Sequence, residues 1–144
     1  MDGIEYWHDH AAVSVPHLDE SVDWYCRMLG FAVEKRIVLE SLQARVAVLI
    51  NGGLRIEIFE VPGARPASED RAMPDGDLRT FGNKHVAFAT ADIEGVHAQL
   101  VERGADIVWM RKFDFGTNIF LRDNAGNLIE IVQRSQAPLG LAMI

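Results

Sequence analysis

The sequence predicts an α+β fold in which two tandem βαβββ modules form a curved mixed sheet with the helices on its convex side. Two internal similarities lead to this prediction. The stretch "NGGLRIEIF" begins at Asn51 and "NAGNLIEIV" begins at Asn124, and they share Asn, Gly, Ile, Glu and Ile when aligned without a gap. Upstream, "HAAVSVPHLDESVDWYCRMLGF" begins at His10 and "HVAFATADIEGVHAQLVERGA" begins at His85. Because both similarities occur in the same order and at nearly the same spacing, the chain is a repeat of two related modules.

The first module is assigned to residues 5–62. Residues 7–15 alternate as a strand, and Asp19 is placed to cap a helix that Gly30 ends. Three further strands complete this module, near 31–39, 43–50 and 54–60, and the tight "NGG" turn joins the last two.

The second module is assigned to residues 82–134 and repeats the same order. A strand over 84–90 precedes a helix over 93–103, which Gly104 ends. Three strands follow, near 105–111, 117–122 and 127–133.

Two segments lie outside the modules. Residues 63–81 are rich in Pro, Gly, Asp and Arg and are predicted to form an exposed linker or flexible loop. Residues 135–144 are an apolar tail, which we expect to pack across a seam or a subunit interface. Together the four segments make one functional domain.

The bulk composition argues against several classes of function. The 144 residues suit one compact domain, and a net charge of −7 argues against nucleic acid as a partner. The single cysteine, Cys26, leaves no disulfide framework, so a reducing cytoplasm is the expected setting. The apolar run "VAVLI" is too short to cross a membrane, and the N-terminus has no signal-peptide pattern.

Strand alternation gives each module one polar pair. Side chains two residues apart share a face, so His10 and His85 lie with small neighbours, away from the bulky core side of their strands. Glu57 and Glu130 each stand between two isoleucines and face the opposite side from them. Taken singly, each of these residues suits an ordinary surface or core position with no functional role. The repeated His…Glu pairing, without any thiolate, instead favours a first-row divalent metal ion.

These motifs resemble the vicinal oxygen chelate superfamily, which includes glyoxalase I, methylmalonyl-CoA epimerase, extradiol ring-cleaving dioxygenases and the fosfomycin- and bleomycin-resistance proteins. "HAAVSVPHLDESVDWYCRMLGF", "LRIEIFE", "KHVAFATADIEGVHAQLVERGA" and "LRDNAGNLIEIVQ" carry the resemblance, which covers nearly the whole chain apart from the linker and tail. It implies one divalent ion (Ni, Co, Zn, Mn or Fe) held by the first and last strands of each module. Carried over onto matching positions, the implied ligands are His10, Glu57, His85 and Glu130.

The ligand set narrows the expected activity. A His/Glu/His/Glu set is closest to glyoxalase I, whereas methylmalonyl-CoA epimerases, similar in rhythm, tend to have Gln in place of Glu57. The resemblance thus implies a metal-dependent lyase or isomerase that moves a proton next to the metal-chelated carbonyl of a small molecule with adjacent oxygens. Glu130 or Glu57 would be the catalytic base.

Two alternatives stay open at this point. An extradiol ring-cleaving dioxygenase with Fe(II) or Mn(II) would use His10, His85 and Glu130. A non-catalytic antibiotic-binding protein of the bleomycin-resistance type is the other, although such proteins generally lack the ligand set.

Three further residues are predicted to contact substrate. His8 shares the face of His10, and Trp109 and Phe115 suit the wall of an apolar pocket, with surface or core roles as the alternative. The resemblance also implies a homodimer, and it leaves open whether the metal site lies within one chain or is shared by two.

Overall fold

The computed structural model describes residues 3–135, and their strands form two four-stranded mixed sheets. The first sheet contains β1 (Ala11–Ser14), β2 (Ala32–Leu39), β3 (Ala44–Asn51) and β4 (Leu54–Glu60), in the order β1-β4-β3-β2. The second contains β5 (Val86–Thr90), β6 (Asp106–Phe113), β7 (Gly116–Arg122) and β8 (Leu128–Gln133), in the order β5-β8-β7-β6. The predicted pair of βαβββ modules is confirmed, with one sheet for each module in place of a single sheet. The tail beyond Ser135 lies outside the described residues.

Each sheet pairs its first strand with its last in parallel, and its other neighbours are antiparallel. The strand expected over 7–15 is shorter, because the ladder with β4 begins at the pair Ala11 and Ile56. His10 and His85 therefore each stand one residue before their strand, at the same edge of their sheets.

Helix α1 (Leu18–Leu29) packs against β3 and β4, and its counterpart α3 (Ile93–Glu102) packs against β6, β7 and β8. The helix-facing isoleucines Ile56, Ile58 and Ile129 are fully buried. One continuous hydrophobic cluster contains core residues of both modules. The two modules therefore share a core on the helix side of their sheets.

The cap predicted at Asp19 is wrong. Helix α1 begins at Leu18, two residues before the start that a cap at Asp19 implies, and the backbone N–H of Leu18 donates a 2.7 Å hydrogen bond to Glu60 Oε2. Asp19 instead lies in the first turn, where its carboxylate contacts two arginines. The second module repeats this device, since Ile93 N–H donates to Gln133 Oε1 at 2.8 Å. Each helix start is thus held by the last residue of its own module's final strand.

The segment predicted as an exposed linker is buried at two residues, Pro74 and Asp77. A short 3₁₀ turn (Glu69–Arg71) leads to α2 (Pro74–Asp77), and the Asp77 side chain is only 2% exposed. Arg71 Nε lies 2.7 Å from Asp77 Oδ1, and Lys84 Nζ donates to the Asp77 carbonyl oxygen at 2.6 Å. Burial alone would raise the pKa of Asp77, but hydrogen bonds from the Arg71 and Lys84 side chains outweigh burial and lower it.

None of the helices between residues 3 and 135 has the length and apolar character that a membrane span requires.

Candidate metal centre

The first His–Glu pair lies on the face of its sheet that α1 does not cover. Ala12 is the register partner of Glu57, so His10, two residues before Ala12, shares the face of that carboxylate. His10 Nε2 lies 3.2 Å from Glu57 Oε2. On the other side of the ring, His10 Nδ1 lies 2.6 Å from Asp9 Oδ2, and this hydrogen bond lowers the pKa of Asp9. The tautomer that carries its proton on Nδ1 donates to Asp9 and leaves the lone pair of Nε2 for another partner.

The second pair repeats this placement. Ala87 is the register partner of Glu130, and His85 stands two residues before Ala87. His85 Nε2 lies 3.7 Å from Glu130 Oε1. The Phe120 ring meets the imidazole nearly edge-on, with the ring centroids 4.8 Å apart, and limits how far the ring can turn.

A buried amide adjoins the second pair. Asn118 Nδ2 donates a 2.9 Å hydrogen bond to Glu130 Oε2, and Asn118 Oδ1 accepts one from Trp109 Nε1 at 3.3 Å. The guanidinium carbon of Arg111 lies 3.8 Å from the centroid of the Trp109 ring. No local sequence pattern marks Asn118 as a site residue, because its contact with Glu130 depends on strand register.

The two pairs do not meet within one chain. Among residues 3–135, no three His, Cys, Asp or Glu side chains come together in a way that could hold a metal ion. The modules instead join through contacts on the helix side, such as Tyr25 Oη donating to Asp123 Oδ2 at 2.8 Å and the Phe31 and Phe88 rings at 5.7 Å. Each module therefore presents a half-site of one imidazole and one carboxylate.

Each half-site suits part of a divalent-metal site in its chemistry and its access. Imidazole nitrogen and carboxylate oxygen are ligands that first-row divalent ions accept. The four side chains are between 20% and 35% exposed, so an ion can reach them from solvent. The ligand assignment itself stays a prediction.

The predicted substrate contacts differ in their surroundings. Trp109 is half-buried beside Asn118 and touches the Phe120 ring edge-on, with the centroids 5.3 Å apart. Phe115 is 80% exposed in the turn between β6 and β7, where it stacks on Phe113. His8 is exposed in the segment before β1. Of these three residues, Trp109 is the one with a described link to a half-site: it donates to Asn118, which donates to Glu130.

Comparison with known proteins assigns the fold to a family. The model described as "Glyoxalase/Bleomycin resistance protein/Dioxygenase superfamily" matches residues 7–131. The chain belongs to this superfamily. The resemblance inferred from the repeated motifs is confirmed, and this superfamily includes both glyoxalase I-type and dioxygenase members.

Individual relatives are more distant. "Glyoxylase I 4" of Arabidopsis thaliana is 27% identical over 134 residues, which cover 91% of this chain and 72% of that protein. The crystal structure of a glyoxalase family protein from Enterococcus faecalis superposes with a TM-score of 0.75 at 23% identity, covering 88% of this chain and 97% of that one. A glyoxalase I mutant from Zea mays gives a TM-score of 0.70 at 18% identity, covering 90% of this chain and 46% of that one. The structural likenesses show the fold.

Proposed function

We propose that this protein is a metal-dependent lyase or isomerase of the glyoxalase/epimerase type. Its substrate is a small molecule with adjacent oxygens, and the reaction moves a proton next to the chelated carbonyl. One observation carries the proposal: each module sets an imidazole nitrogen beside a carboxylate oxygen on its open face, at 3.2 Å for His10 and Glu57 and at 3.7 Å for His85 and Glu130.

The proposed ligands of the ion are His10, Glu57, His85 and Glu130. A bound Ni, Co, Zn, Mn or Fe ion supplies Lewis-acid polarisation of the substrate carbonyl. A ring-cleaving dioxygenase would leave Glu57 without a role. Glu57 contacts His10 at least as closely as Glu130 contacts His85, which favours four ligands over three.

The protein's own carboxylates carry the proton transfer in this proposal. Glu57 or Glu130 takes the proton from the carbon next to the carbonyl and returns it at a second position. Ala12 and Ala87, the exposed small residues beside these carboxylates, leave room above the sheet for a substrate.

A homodimer would complete the ligand set. Since one chain holds the two half-sites apart among its described residues, we propose that the first module of one subunit faces the second module of its partner. The helix-side faces are occupied by the shared core, which leaves the open faces for this contact.

Solvent-exchange chemistry tests the reaction class. The metal-loaded protein is incubated in D2O with hemithioacetals and α-hydroxy carbonyl compounds, and each product is examined by NMR. We expect metal-dependent isomerisation, or deuterium incorporation next to the carbonyl, that Glu130→Gln and Glu57→Gln reduce, with no oxygen uptake. Oxygen consumption on a catechol with bound iron would instead establish the dioxygenase.

Complementation tests whether the site is shared. His10→Ala and His85→Ala chains carrying different affinity tags are co-expressed, and the mixed dimer is purified on both tags. A shared site predicts that this dimer regains one complete ligand set and about half the wild-type metal content, while each variant alone binds little. A mixed dimer without metal would contradict sharing.

A further inference from the structure

We propose that Asn118 is a positioning residue that holds the Glu130 carboxylate in the orientation in which it binds the metal ion. Trp109 holds Asn118 in turn. The inference rests on the metal-binding function proposed above and extends it to residues beyond the ligands.

The geometry of the Asn118 side chain fixes which end faces Glu130. The indole N–H of Trp109 can only donate, so the atom facing it must be the amide oxygen of Asn118. The NH2 group is thereby directed to the carboxylate, where Nδ2 lies 2.9 Å from Glu130 Oε2. Asn118 is 6% exposed, so water competes little for these bonds.

This contact gives the two carboxylate oxygens of Glu130 different partners. Oε2 accepts from Asn118, whereas Oε1 is the oxygen that lies 3.7 Å from His85 Nε2. An ion bound by His85 would therefore meet Oε1 in a fixed direction. Groups that hydrogen-bond metal ligands in this way orient the ligand and strengthen metal binding.

The repeat shows that the arrangement is special to the second module. Asn118 is the register partner of Val132, two residues beyond Glu130. The equivalent position in the first module, opposite Phe59, is occupied by Val46. A valine cannot donate a hydrogen bond, so the first module has no such contact at this position.

A purely structural role is the competing explanation. Asn118 could serve only to satisfy the indole N–H of the half-buried Trp109. In that case its loss would lower the stability of the metal-free protein and leave metal affinity unchanged. A structural role therefore predicts a change in stability, and a positioning role predicts a change in metal affinity.

Calorimetric titration with Ni²⁺ separates them. Asn118→Leu keeps a similar volume but removes the donor, and Asn118→Gln keeps an amide. Trp109→Phe keeps an aromatic ring but removes the indole N–H that donates to Asn118. Val46→Ala is the matched control from the first module. Thermal unfolding of each metal-free variant is measured in parallel.

We expect Asn118→Leu to weaken Ni²⁺ binding about 10-fold or more, in the range found for groups that support metal ligands. Trp109→Phe should weaken it less, Asn118→Gln should recover much of the loss, and Val46→Ala should leave affinity unchanged. Wild-type affinity in a folded Asn118→Leu protein overturns the inference. If that variant fails to fold, unchanged affinity in Trp109→Phe overturns it.

Failure of the proposed function is distinct from these outcomes. A wild-type protein that binds no Ni²⁺, Co²⁺, Zn²⁺, Mn²⁺ or Fe²⁺ overturns both proposals at once. Wild-type binding with unaffected Asn118 variants overturns only the positioning role.

Discussion

Replacing Tyr25 with Phe should loosen the joint between the two modules without leaving a cavity. Tyr25 is fully buried on α1, and its hydroxyl donates to Asp123 Oδ2 in the second module at 2.8 Å. Phenylalanine keeps the ring and its edge contacts with Trp24 and Phe31. The substitution therefore removes one hydrogen bond to a carboxylate and little else.

The expected loss of stability depends on the hydrogen bonds that Asp123 keeps in the Tyr25→Phe variant. A hydrogen bond to a charged group contributes about 1.5–3 kcal/mol. Asp123 keeps hydrogen bonds from the backbone N–H groups of Ala125 and Asn127 and from the Asn127 side chain, so its charge is not left bare. We expect Tyr25→Phe to lower the free energy of unfolding by about 2 kcal/mol, or the melting temperature by about 4–8 °C.

The pH dependence gives a second check on the same contact. Burial and then the neighbouring Asp123 raise the pKa of Tyr25 well above its usual value. A raised pKa means that the contribution of Tyr25 is complete below the unfolded-state pKa of about 10 and is lost as the pH rises above it. The stability difference between wild type and Tyr25→Phe should therefore shrink above about pH 10.

Urea denaturation at fixed protein concentration, with a chelator present, measures both effects. Tyr6→Phe is the control, because Tyr6 is 81% exposed and its loss should change stability by less than about 0.5 kcal/mol. The reasoning is refuted if Tyr25→Phe is as stable as the control. A stability difference that stays constant from pH 9 to pH 11 would refute the proposed pH effect.

Two further predictions concern the buried carboxylate Asp77 and the helix-capping residue Glu60. Asp77→Asn should cost about 1–2 kcal/mol at pH 7, because Arg71 and Lys84 lose their charged partner but stay partly exposed. Since the pKa of Asp77 is lowered, that difference should be complete above about pH 4 and vanish as the pH falls further, as urea titrations at several pH values would report. Glu60→Ala should lower the free energy of unfolding by about 1 kcal/mol, because the Leu18 N–H loses its acceptor. Glu60→Gln should change it little, because Gln133 plays the same role in the second module. Equal stabilities of the two variants in urea would show that Glu60 does not cap the helix.

The order of elements could be predicted because it depends on local patterns. Alternation around Glu57 and Glu130 and the repeated histidines at strand starts need no knowledge of distant contacts. Family membership rested on the same motifs, and the match over residues 7–131 confirms it.

The missed features all depend on contacts between distant residues. Asn118 reaches Glu130 only through the register of β7 on β8, which the sequence does not specify. Asp77 belongs to a polar segment whose sequence predicts exposure. Its burial in α2, between Arg71 and Lys84, depends on how the segment folds. The separation of the half-sites follows from packing between modules, such as the bond from Tyr25 to Asp123.

The metal content of the purified protein shows whether His10, Glu57, His85 and Glu130 bind a divalent ion. Wild type and the variants His10→Ala, Glu57→Gln, His85→Ala and Glu130→Gln are loaded with Ni²⁺, dialysed, and analysed for metal per chain. We expect one ion per chain in wild type. Each variant should lose more affinity than the roughly 10–100-fold effect of a supporting residue. A wild-type protein without metal, or four variants that retain it, would show that these residues do not bind the ion.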